Sequence, residues 1–410
     1  MKILYVNDND LIGRRFNGHD LQIMLNKKKG YEAKQAVIAK QGTDPNTIRL
    51  INTEGGYFIR NKCREMEEKL SIQSMIYPFG ELLREHPAFK EADIVHYHLL
   101  FNHFMSLYSF KHLAQEKPTV WTLHDPWALT GHCVHPIDCK GWLTGCHNCP
   151  HLDRYSPLKE DNSHDIWEIK KGIYKDIDID IVVASPWMLD LVKRSPLTKH
   201  FKRTHLIPFG IDTNIFKKNI KHKELRKKMS IDEKSFVIMF RQDEQEWKGL
   251  PYIKQLLEKL DQSLNLTILT VGNTGLLDKY KDKFPIIEYE WLNEPEQLVE
   301  LYSVANLFLM PSIAESFGMM AIEAMGCSLP VVVFEGTALP SVTFAPECGI
   351  ALEKENPDEF VETVTRLVKS SDECKRRGDT GRKLVEENYN IELYNQRMMK
   401  LYDEISARIK

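Results

Sequence analysis

Two glutamates eight residues apart, Glu315 and Glu323, are the side chains of this sequence best suited to hold a polyhydroxylated ligand. A carboxylate accepts paired hydrogen bonds, so each could bind the vicinal hydroxyls of a sugar ring. If the residues from Phe317 or Gly318 onward are helical, the two carboxylates are about 12 Å apart, and free amides of a helix N-terminus lie near the first. Such amides bind phosphate. The layout predicts a nucleotide sugar, with one carboxylate on the sugar, the other on the ribose and the amides facing the diphosphate.

The elements that must position this pair follow from the flanking residues. An apolar stretch, residues 305–310, precedes the pair, and a second, residues 330–334, follows Gly326. Short apolar runs bounded by turn residues are typical of buried strands, so the order predicts strand, loop, short helix and strand. Without these flanking strands, the two glutamates would be expected to bind no ligand: one would face solvent and the other would cap a helix.

Length and charge limit the classes of protein to which the chain can belong. At 410 residues it is too long for one ordinary core, so two domains of about 200 residues are expected. Lys plus Arg total 55 against 58 Asp plus Glu, a net charge of −3 that favours no nucleic-acid partner. The apolar start is too short for a signal peptide, and no run approaches the length of a membrane span, which predicts a cytoplasmic protein.

In both halves of the chain, β-rich runs alternate with polar loops or with segments whose apolar residues recur at the period of an α-helix. This alternation predicts parallel β-α units, and its restart in the second half predicts an α/β protein with two Rossmann-like domains divided near Pro208. The predicted strands are residues 3–6, 36–39, 94–97, 119–123 and 181–184 in the first half, and 236–240, 266–271, 286–289, 307–310 and 331–334 in the second.

Two cations, Arg241 and Lys248, follow the run 236–240. Open α/β sheets bind ligands at the carboxyl ends of their strands, where this pair is expected. Breaking a sugar-phosphate bond leaves a nucleoside diphosphate, whose growing charge a guanidinium fork and an ammonium can meet without a metal. The alternative is two solvated cations on a loop.

Polar residues also follow the predicted strands of the first half. His98 ends the run 94–97, and His124 and Asp125 end the run 119–123. A neutral imidazole at His124 could donate to a donor sugar or accept from the nucleophile, and Asp125 could orient it or contact the acceptor. The alternative is that these histidines have only a structural role at the ends of the strands. Gly13, in the loop after the first strand, would allow a close backbone approach to a ligand.

Half of the eight cysteines lie within seventeen residues, in a C-x5-C-x6-C-x2-C pattern. In a cytoplasmic loop, thiolates at this spacing suit a structural zinc ion that would rigidify an insert with no core of its own. Free or redox-linked thiols and an iron-sulfur cluster are the alternatives. The predicted ligands are Cys133, Cys139, Cys146 and Cys149, any one of which could be replaced by His132, His135 or His147.

The run Glu315-Ser316-Phe317-Gly318, followed by Glu323-Ala324, resembles the E-x7-E signature of family-4 retaining glycosyltransferases, also called group 1, which have the GT-B fold. The resemblance implies that Glu315 contacts the transferred sugar and that the amides of Ser316, Phe317 and Gly318 contact its hydroxyls and phosphate. Glu323 would hold the ribose.

The same resemblance assigns roles to the other candidates. Arg241 and Lys248 would bind the diphosphate, although the gap between them is longer than is usual in the family. His124 would face the reactive sugar, and His98 would belong to the family's His-x-His element beside the donor.

The resemblance also implies an architecture of two domains that face each other across a cleft. Residues 1–207 would form the acceptor-binding domain, with the cysteine-bearing insert at 131–150. Residues 208–387 would form the nucleotide-sugar-binding domain, and residues 388–410 a helix that returns to the first domain. A similar insert occurs in a subset of glycosyltransferases of bacterial polysaccharide biosynthesis.

The expected function is therefore that of a retaining hexosyltransferase. It would move a sugar from a UDP- or GDP-sugar to a glycan or lipid-linked saccharide in cell-surface polysaccharide biosynthesis, with no metal cofactor for catalysis and with peripheral contact at the inner face of the plasma membrane. The alternatives are a GT-B protein that binds nucleotide sugar or glycan without turnover, and another GT-B enzyme such as an epimerase or a phosphorylase.

Overall fold

The computed structural model describes residues 1–154 and 157–409, which divide into two compact units. The first unit comprises Met1–Ile207 and the chain from Asn395 onward, and the second unit is Pro208–Tyr394. Each unit is built on one fully parallel sheet whose strands alternate with helices. The prediction of an α/β protein with two Rossmann-like domains is confirmed.

The first unit contains a seven-stranded sheet in the order β3-β2-β1-β4-β5-β6-β7. Strands β4, β5 and β6 are buried along their whole length, as expected for a parallel sheet with both faces covered. The strands are β1 (Lys2–Asn9), β2 (Glu32–Ala39), β3 (Thr47–Arg49), β4 (Ile94–Tyr97), β5 (Thr119–Leu123), β6 (Asp180–Val183) and β7 (Arg203–Leu206).

Helices of the first unit begin at recognisable caps. Ser106 accepts the N–H of Tyr108 at the start of α5, and Ser185 accepts that of Met188 at the start of α7. The helices are α1 (His19–Leu25), α2 (Glu54–Leu70), α3 (Phe79–Glu85), α4 (Pro87–Glu91), α5 (Leu107–Glu116), α6 (Ser163–Lys175) and α7 (Pro186–Arg194).

The second unit contains a six-stranded sheet in the order β10-β9-β8-β11-β12-β13. Its strands are β8 (Phe236–Gln242), β9 (Leu266–Gly272), β10 (Ile286–Tyr289), β11 (Leu307–Met310), β12 (Val331–Phe334) and β13 (Ile350–Leu352). Its helices are α8 (His222–Lys228), α9 (Leu250–Lys259), α10 (Pro295–Val304), α11 (Met319–Gly326), α12 (Leu339–Val342), α13 (Pro357–Lys369) and α14 (Ser371–Asn388).

The last helix, α15 (Ile391–Ile409), belongs to the first unit from Asn395 onward. The hydroxyl of Tyr402 lies 2.9 Å from that of Tyr5 on β1, and Arg408 donates to Asp180 on β6 at 2.5 Å. These polar contacts join the C-terminal helix to the sheet of the first unit. No helix in the described part of the chain is both long and apolar enough to cross a membrane.

Candidate active site

Two of the predicted residues, Lys248 and Glu315, form an ion pair in the second unit, with 3.0 Å between Lys248 Nζ and Glu315 Oε2. Less than a fifth of each side chain is exposed. Strands β8 and β11 are parallel neighbours, so the loops that follow them meet at the same sheet edge. The sheet therefore brings together an ammonium and a carboxylate that are 67 positions apart in the sequence.

A short 3-10 turn, Glu246–Lys248, accommodates the long gap between Arg241 and Lys248. After it, Gly249 has φ +94°, and a Cβ there would lie 2.2 Å from the carbonyl oxygen of Pro311. The N–H of Ile313 also donates to the carbonyl of Trp247 at 2.9 Å. The loops after β8 and β11 are thus joined through their backbones, which places Lys248 against Glu315.

Gly318 forms the turn between Glu315 and helix α11. It has φ +101°, and a Cβ would lie 2.4 Å from Leu339 Cδ2, so only glycine fits without displacing its surroundings. Helix α11 begins directly afterwards, at Met319, which puts the amides of a helix N-terminus next to the Glu315 loop. This arrangement suits an anionic group bound beside Glu315.

Arg241 lies near the carboxyl end of β8 and is held by two side chains that sequence reasoning missed. Its guanidinium forms an ion pair with Asp243 and lies 5.0 Å from the centre of the Trp291 ring. Asp243 is nearly buried, whereas half of Trp291 is exposed. An exposed tryptophan beside a cation is the signal that could have drawn attention to residue 291.

Glu323 departs from the expectation for a ribose ligand. Its side chain lies on helix α11 with no exposed surface, and Oε2 accepts a hydrogen bond from the Tyr302 hydroxyl at 3.1 Å. A ribose could reach this carboxylate only if the surrounding side chains moved. Spacing alone did not predict this burial, and ribose binding by Glu323 stays a prediction.

Three histidines stack in the first unit, on β4 and after β4 and β5. The rings of His96 and His98 are 4.4 Å apart, those of His98 and His124 are 5.1 Å apart, and His98 Nδ1 lies 2.9 Å from His124 Nε2. Burial lowers the pKa of His96 to about 3 and that of His124 to about 4, and it holds the pKa of His98 well below the usual value. All three imidazoles are therefore neutral near pH 7. His98 is buried and contacts His124, and its place beside the donor stays a prediction.

Asp125 begins the 3-10 turn Pro126–Leu129, and its carboxylate accepts the N–H of Trp127 at 2.9 Å. Desolvation raises the pKa of Asp125 to about 7. The buried ammonium of Lys170 holds the other end of the turn by donating to the carbonyls of Trp127 and Thr130, at 2.7 and 3.0 Å. Asp125 is thus a capping residue in a fixed turn next to His124.

Gly13 makes a close backbone approach, but to an aromatic ring and not to an open surface. It has φ +69°, and a Cβ would lie 2.6 Å from the ring of Phe16. That ring lies 5.5 Å from the His124 ring. Gly13 therefore shapes the loop that packs Phe16 near His124, and a contact of Gly13 with the donor stays a prediction.

The four insert cysteines line one cavity together with His132. His132 Nε2 lies 3.2 Å from Cys149 Sγ, and backbone amides donate to sulfur at Cys146 and Cys139, at 3.2 and 3.3 Å. Within residues 1–154 and 157–409, however, no three His, Cys, Asp or Glu side chains are arranged to hold a metal ion. The structure thus contains no formed ligand set for the predicted zinc.

Acid is expected to destabilise the first unit through His96. The folded-state pKa lies below the unfolded value of about 6.5, so stability is present above pH 6.5 and is lost as the pH falls. At pH 5, keeping His96 neutral in the folded state lowers the free energy of unfolding by about 2 kcal/mol relative to its value well above pH 6.5. We expect His96→Gln to reduce, by about this amount, the loss in free energy of unfolding between pH 7.5 and pH 5.0. His112→Gln, at an exposed position of α5, is the control. An equal loss in both variants would contradict this origin of the acid sensitivity.

Two protein families match successive parts of the chain. The family described as "Glycosyltransferase Family 4" matches residues 52–215, and the family described as "Glycosyl transferases group 1" matches residues 221–384. The first match lies mainly in the first unit, and the second lies in the second unit.

Similar proteins are glycosyltransferases by name. The putative colanic acid biosynthesis glycosyl transferase WcaC of Escherichia coli (strain K12) is 34% identical over 106 residues, which are 24% of this chain and 26% of WcaC. The D-inositol 3-phosphate glycosyltransferase of Corynebacterium jeikeium (strain K411) is 22% identical over 348 residues, 81% of this chain and 78% of that protein. This chain thus spans about a quarter of the first relative and most of the second.

Solved structures with the same fold cover nearly the whole chain. Sucrose-phosphate synthase (tll1590) from Thermosynechococcus elongatus has a TM-score of 0.73 at 20% identity and covers 100% of both chains. Anabaena Alr3699/HepE in complex with UDP-glucose has a TM-score of 0.64 at 14% identity, over 98% of this chain and 100% of its own. From the two family matches and this shared fold, the chain belongs to the glycosyltransferase superfamily and has the GT-B fold.

Proposed function

We propose that the chain is a retaining hexosyltransferase that moves a sugar from a nucleotide diphosphate sugar to a glycan or lipid-linked saccharide. The observation that carries this proposal is the Lys248–Glu315 ion pair at the sheet edge of the second unit, next to the start of α11. A carboxylate for hydroxyls, an ammonium for phosphate and free helix amides are the groups that a nucleotide sugar requires.

The cations of the second unit serve the leaving group. As the bond between sugar and phosphate breaks, Arg241 and Lys248 offset the charge that develops on the nucleoside diphosphate. The ion pairs with Asp243 and Glu315 hold both cations in place before the donor binds. Glu315 binds hydroxyls of the transferred sugar, and the amides of residues 316–318 bind its hydroxyls and phosphate.

Transfer proceeds by displacement on one face of the sugar, with retained configuration. The acceptor oxygen bonds to the anomeric carbon, the bond between that carbon and the phosphate oxygen breaks, and the acceptor proton passes to the departing phosphate oxygen. This route needs neither an enzyme nucleophile nor a catalytic metal. In the first unit, neutral His124 acts on the donor sugar, and Asp125 contacts the acceptor.

The acceptor class rests on a narrower observation. WcaC, the relative with the higher identity, is named for colanic acid biosynthesis, which supports a role in making a cell-surface polysaccharide. A lipid-linked saccharide acceptor would bring the protein to the inner face of the plasma membrane, so peripheral membrane contact is part of the proposal. HepE, crystallised with UDP-glucose, supports a UDP-sugar as the first donor to test.

A panel of UDP-, GDP- and ADP-sugars tests the proposal. We expect one donor to bind, to be hydrolysed slowly when it is alone, and to transfer its sugar with retained configuration when saccharide acceptors are added. Donor binding with no hydrolysis or transfer would favour a binding protein, and an altered donor sugar would favour an epimerase. If no donor binds, the site assignment fails.

We also propose that the insert holds structural zinc, with side chains that draw together when the ion binds. The four thiols around one cavity and the two amide-to-sulfur hydrogen bonds support this proposal, because such bonds orient thiolate ligands.

Elemental analysis tests the insert directly. Purified protein is expected to carry about one zinc ion per chain. Cys146→Ser is expected to remove most of the zinc, because it deletes one of four ligands. Cys63→Ser, on α2 and outside the insert, is the matched control and is expected to retain it. Metal-free wild-type protein would favour the alternative of free or redox-linked thiols.

A further inference from the structure

One nitrogen of His98 determines where the proton of this imidazole lies. The side chain is 1% exposed, and Nδ1 lies 2.9 Å from His124 Nε2. The other nitrogen, Nε2, is buried and has no hydrogen-bond partner among the residues that the structure describes. In a neutral imidazole one nitrogen carries the proton and the other is an acceptor, so the two nitrogens cannot be equivalent here.

Gly18 packs against Nε2 of His98. It has φ +91°, and a Cβ there would lie 2.9 Å from His98 Nε2 and 2.5 Å from the ring of Tyr5. A proton on Nε2 would be a buried donor without an acceptor among the described residues, and buried N–H groups without a partner are rarer in native proteins than buried acceptors without one. This asymmetry favours a proton on Nδ1, with His98 donating to His124.

A half-turn of the His98 ring about its Cβ–Cγ bond would place the carbon Cδ2 against His124 Nε2 and lose the hydrogen bond between them. The His98 ring stacks on His96, whose Nδ1 lies 2.7 Å from the Tyr402 hydroxyl and whose Nε2 lies 2.7 Å from Thr122 Oγ1. The titratable rings that pack against His98 are Tyr5, His96 and His124, and burial lowers the pKa of both histidines enough to keep them neutral near pH 7. The direction of the hydrogen bond between His98 and His124 is thus set by packing.

We propose that His98 is a positioning residue that fixes His124 in the tautomer with its proton on Nδ1. His124 then carries its proton on Nδ1, while its Nε2 lone pair is occupied by His98 and cannot take a proton from the acceptor. The effect of this tautomer on catalysis rests on the proposed glycosyl transfer. It is consistent with the proposed step in which the departing phosphate oxygen, and not His124, accepts the proton of the acceptor. The tautomer itself does not depend on that function.

Nitrogen-15 NMR of histidine-labelled protein tests the tautomer without any substrate. We expect the His124 signals to show Nδ1 protonated and Nε2 bare between pH 6 and pH 8. Protonation of His124 on Nε2 in wild-type protein would overturn the proposal. A correct tautomer in a protein that transfers no sugar would leave the inference standing and reject the proposed function, so the two failures are distinguishable.

Two substitutions test the catalytic consequence. His98→Leu removes the donor, and we expect kcat to fall about 10-fold to 100-fold with a donor KM within about 3-fold of wild type, because His124 is no longer held in one tautomer. His98→Asn keeps an N–H near the Nδ1 position and is expected to restore most of the activity and the wild-type His124 signals. A folded His98→Leu variant with unchanged His124 signals would overturn the proposal, as would equal losses in both variants. If His98→Leu does not fold, the wild-type NMR result decides.

Discussion

Glu315→Gln is expected to lower the rate of sugar transfer by about 10²-fold to 10³-fold, because an amide cannot replace the paired charge-assisted hydrogen bonds that the carboxylate offers to sugar hydroxyls. The substitution keeps the shape of the side chain but removes the charge that balances Lys248. We expect donor affinity to fall less than the rate, since the cations and the amides at the start of α11 still bind the diphosphate.

The measurement is kcat/KM with the donor that the nucleotide-sugar panel identifies. Glu362→Gln provides the matched control, because Glu362 is an exposed carboxylate on helix α13 of the same unit. We expect this control to retain the wild-type rate. A Glu315→Gln variant that turns over normally would remove Glu315 from the site.

Arg241→Ala is expected to weaken donor binding about 10²-fold and to lower kcat as well. The guanidinium offers two parallel hydrogen bonds to a phosphate, and its loss leaves the nearly buried carboxylate of Asp243 unpaired beside the diphosphate. Both effects act in the same direction, so this substitution should weaken binding more than the loss of one contact would.

A short series separates these contributions. Arg241→Lys keeps the charge but not the fork, so its affinity is expected to lie between those of Arg241→Ala and the wild type. Adding Asp243→Asn to Arg241→Ala should recover part of the lost affinity, because it removes the unpaired carboxylate. Arg376→Ala, at an exposed position of α14, controls for the loss of any surface arginine. Calorimetric titration of the wild type and the four variants with the identified donor gives the five affinities. Equal affinity in wild type and Arg241→Ala would show that the diphosphate binds elsewhere.

The sheets were largely predictable because their strands are buried. All ten strands expected from apolar runs are present, but β3, β7 and β13 were missed. Each of these three is an edge strand of three or four residues. An edge strand is covered less completely than a central one, so β3 and β7 lack the continuous apolar run by which buried strands are recognised. The residues of β13 are apolar, but the strand is only three residues long.

Contacts between distant loops were harder to predict. The 3-10 turn at Glu246–Lys248 and the backbone contact between Gly249 and Pro311 decide that Lys248 meets Glu315, and neither has a signature in residue spacing. Spacing also placed Glu323 on a helix without showing that its carboxylate faces Tyr302 in the interior. Such outcomes depend on which face of a helix a neighbouring element covers, and that is a property of tertiary packing.

The histidines illustrate the same limit in the first unit. The sequence identified His98 and His124 at the ends of adjacent strands, which is where the structure places them. It did not indicate that Gly18 and Tyr5 enclose His98, nor that Tyr402 on the last helix holds its neighbour His96. These contacts place His98 against His124 in the interior of the first unit.

The most direct test of the account is a crystal structure of the protein with its donor nucleotide sugar bound. We expect the diphosphate to lie between Arg241 and the amides at the start of α11, with Lys248 on a phosphate oxygen and Glu315 on hydroxyls of the sugar. A donor bound away from Arg241, Lys248 and Glu315 would contradict the central claim that these residues form the donor site.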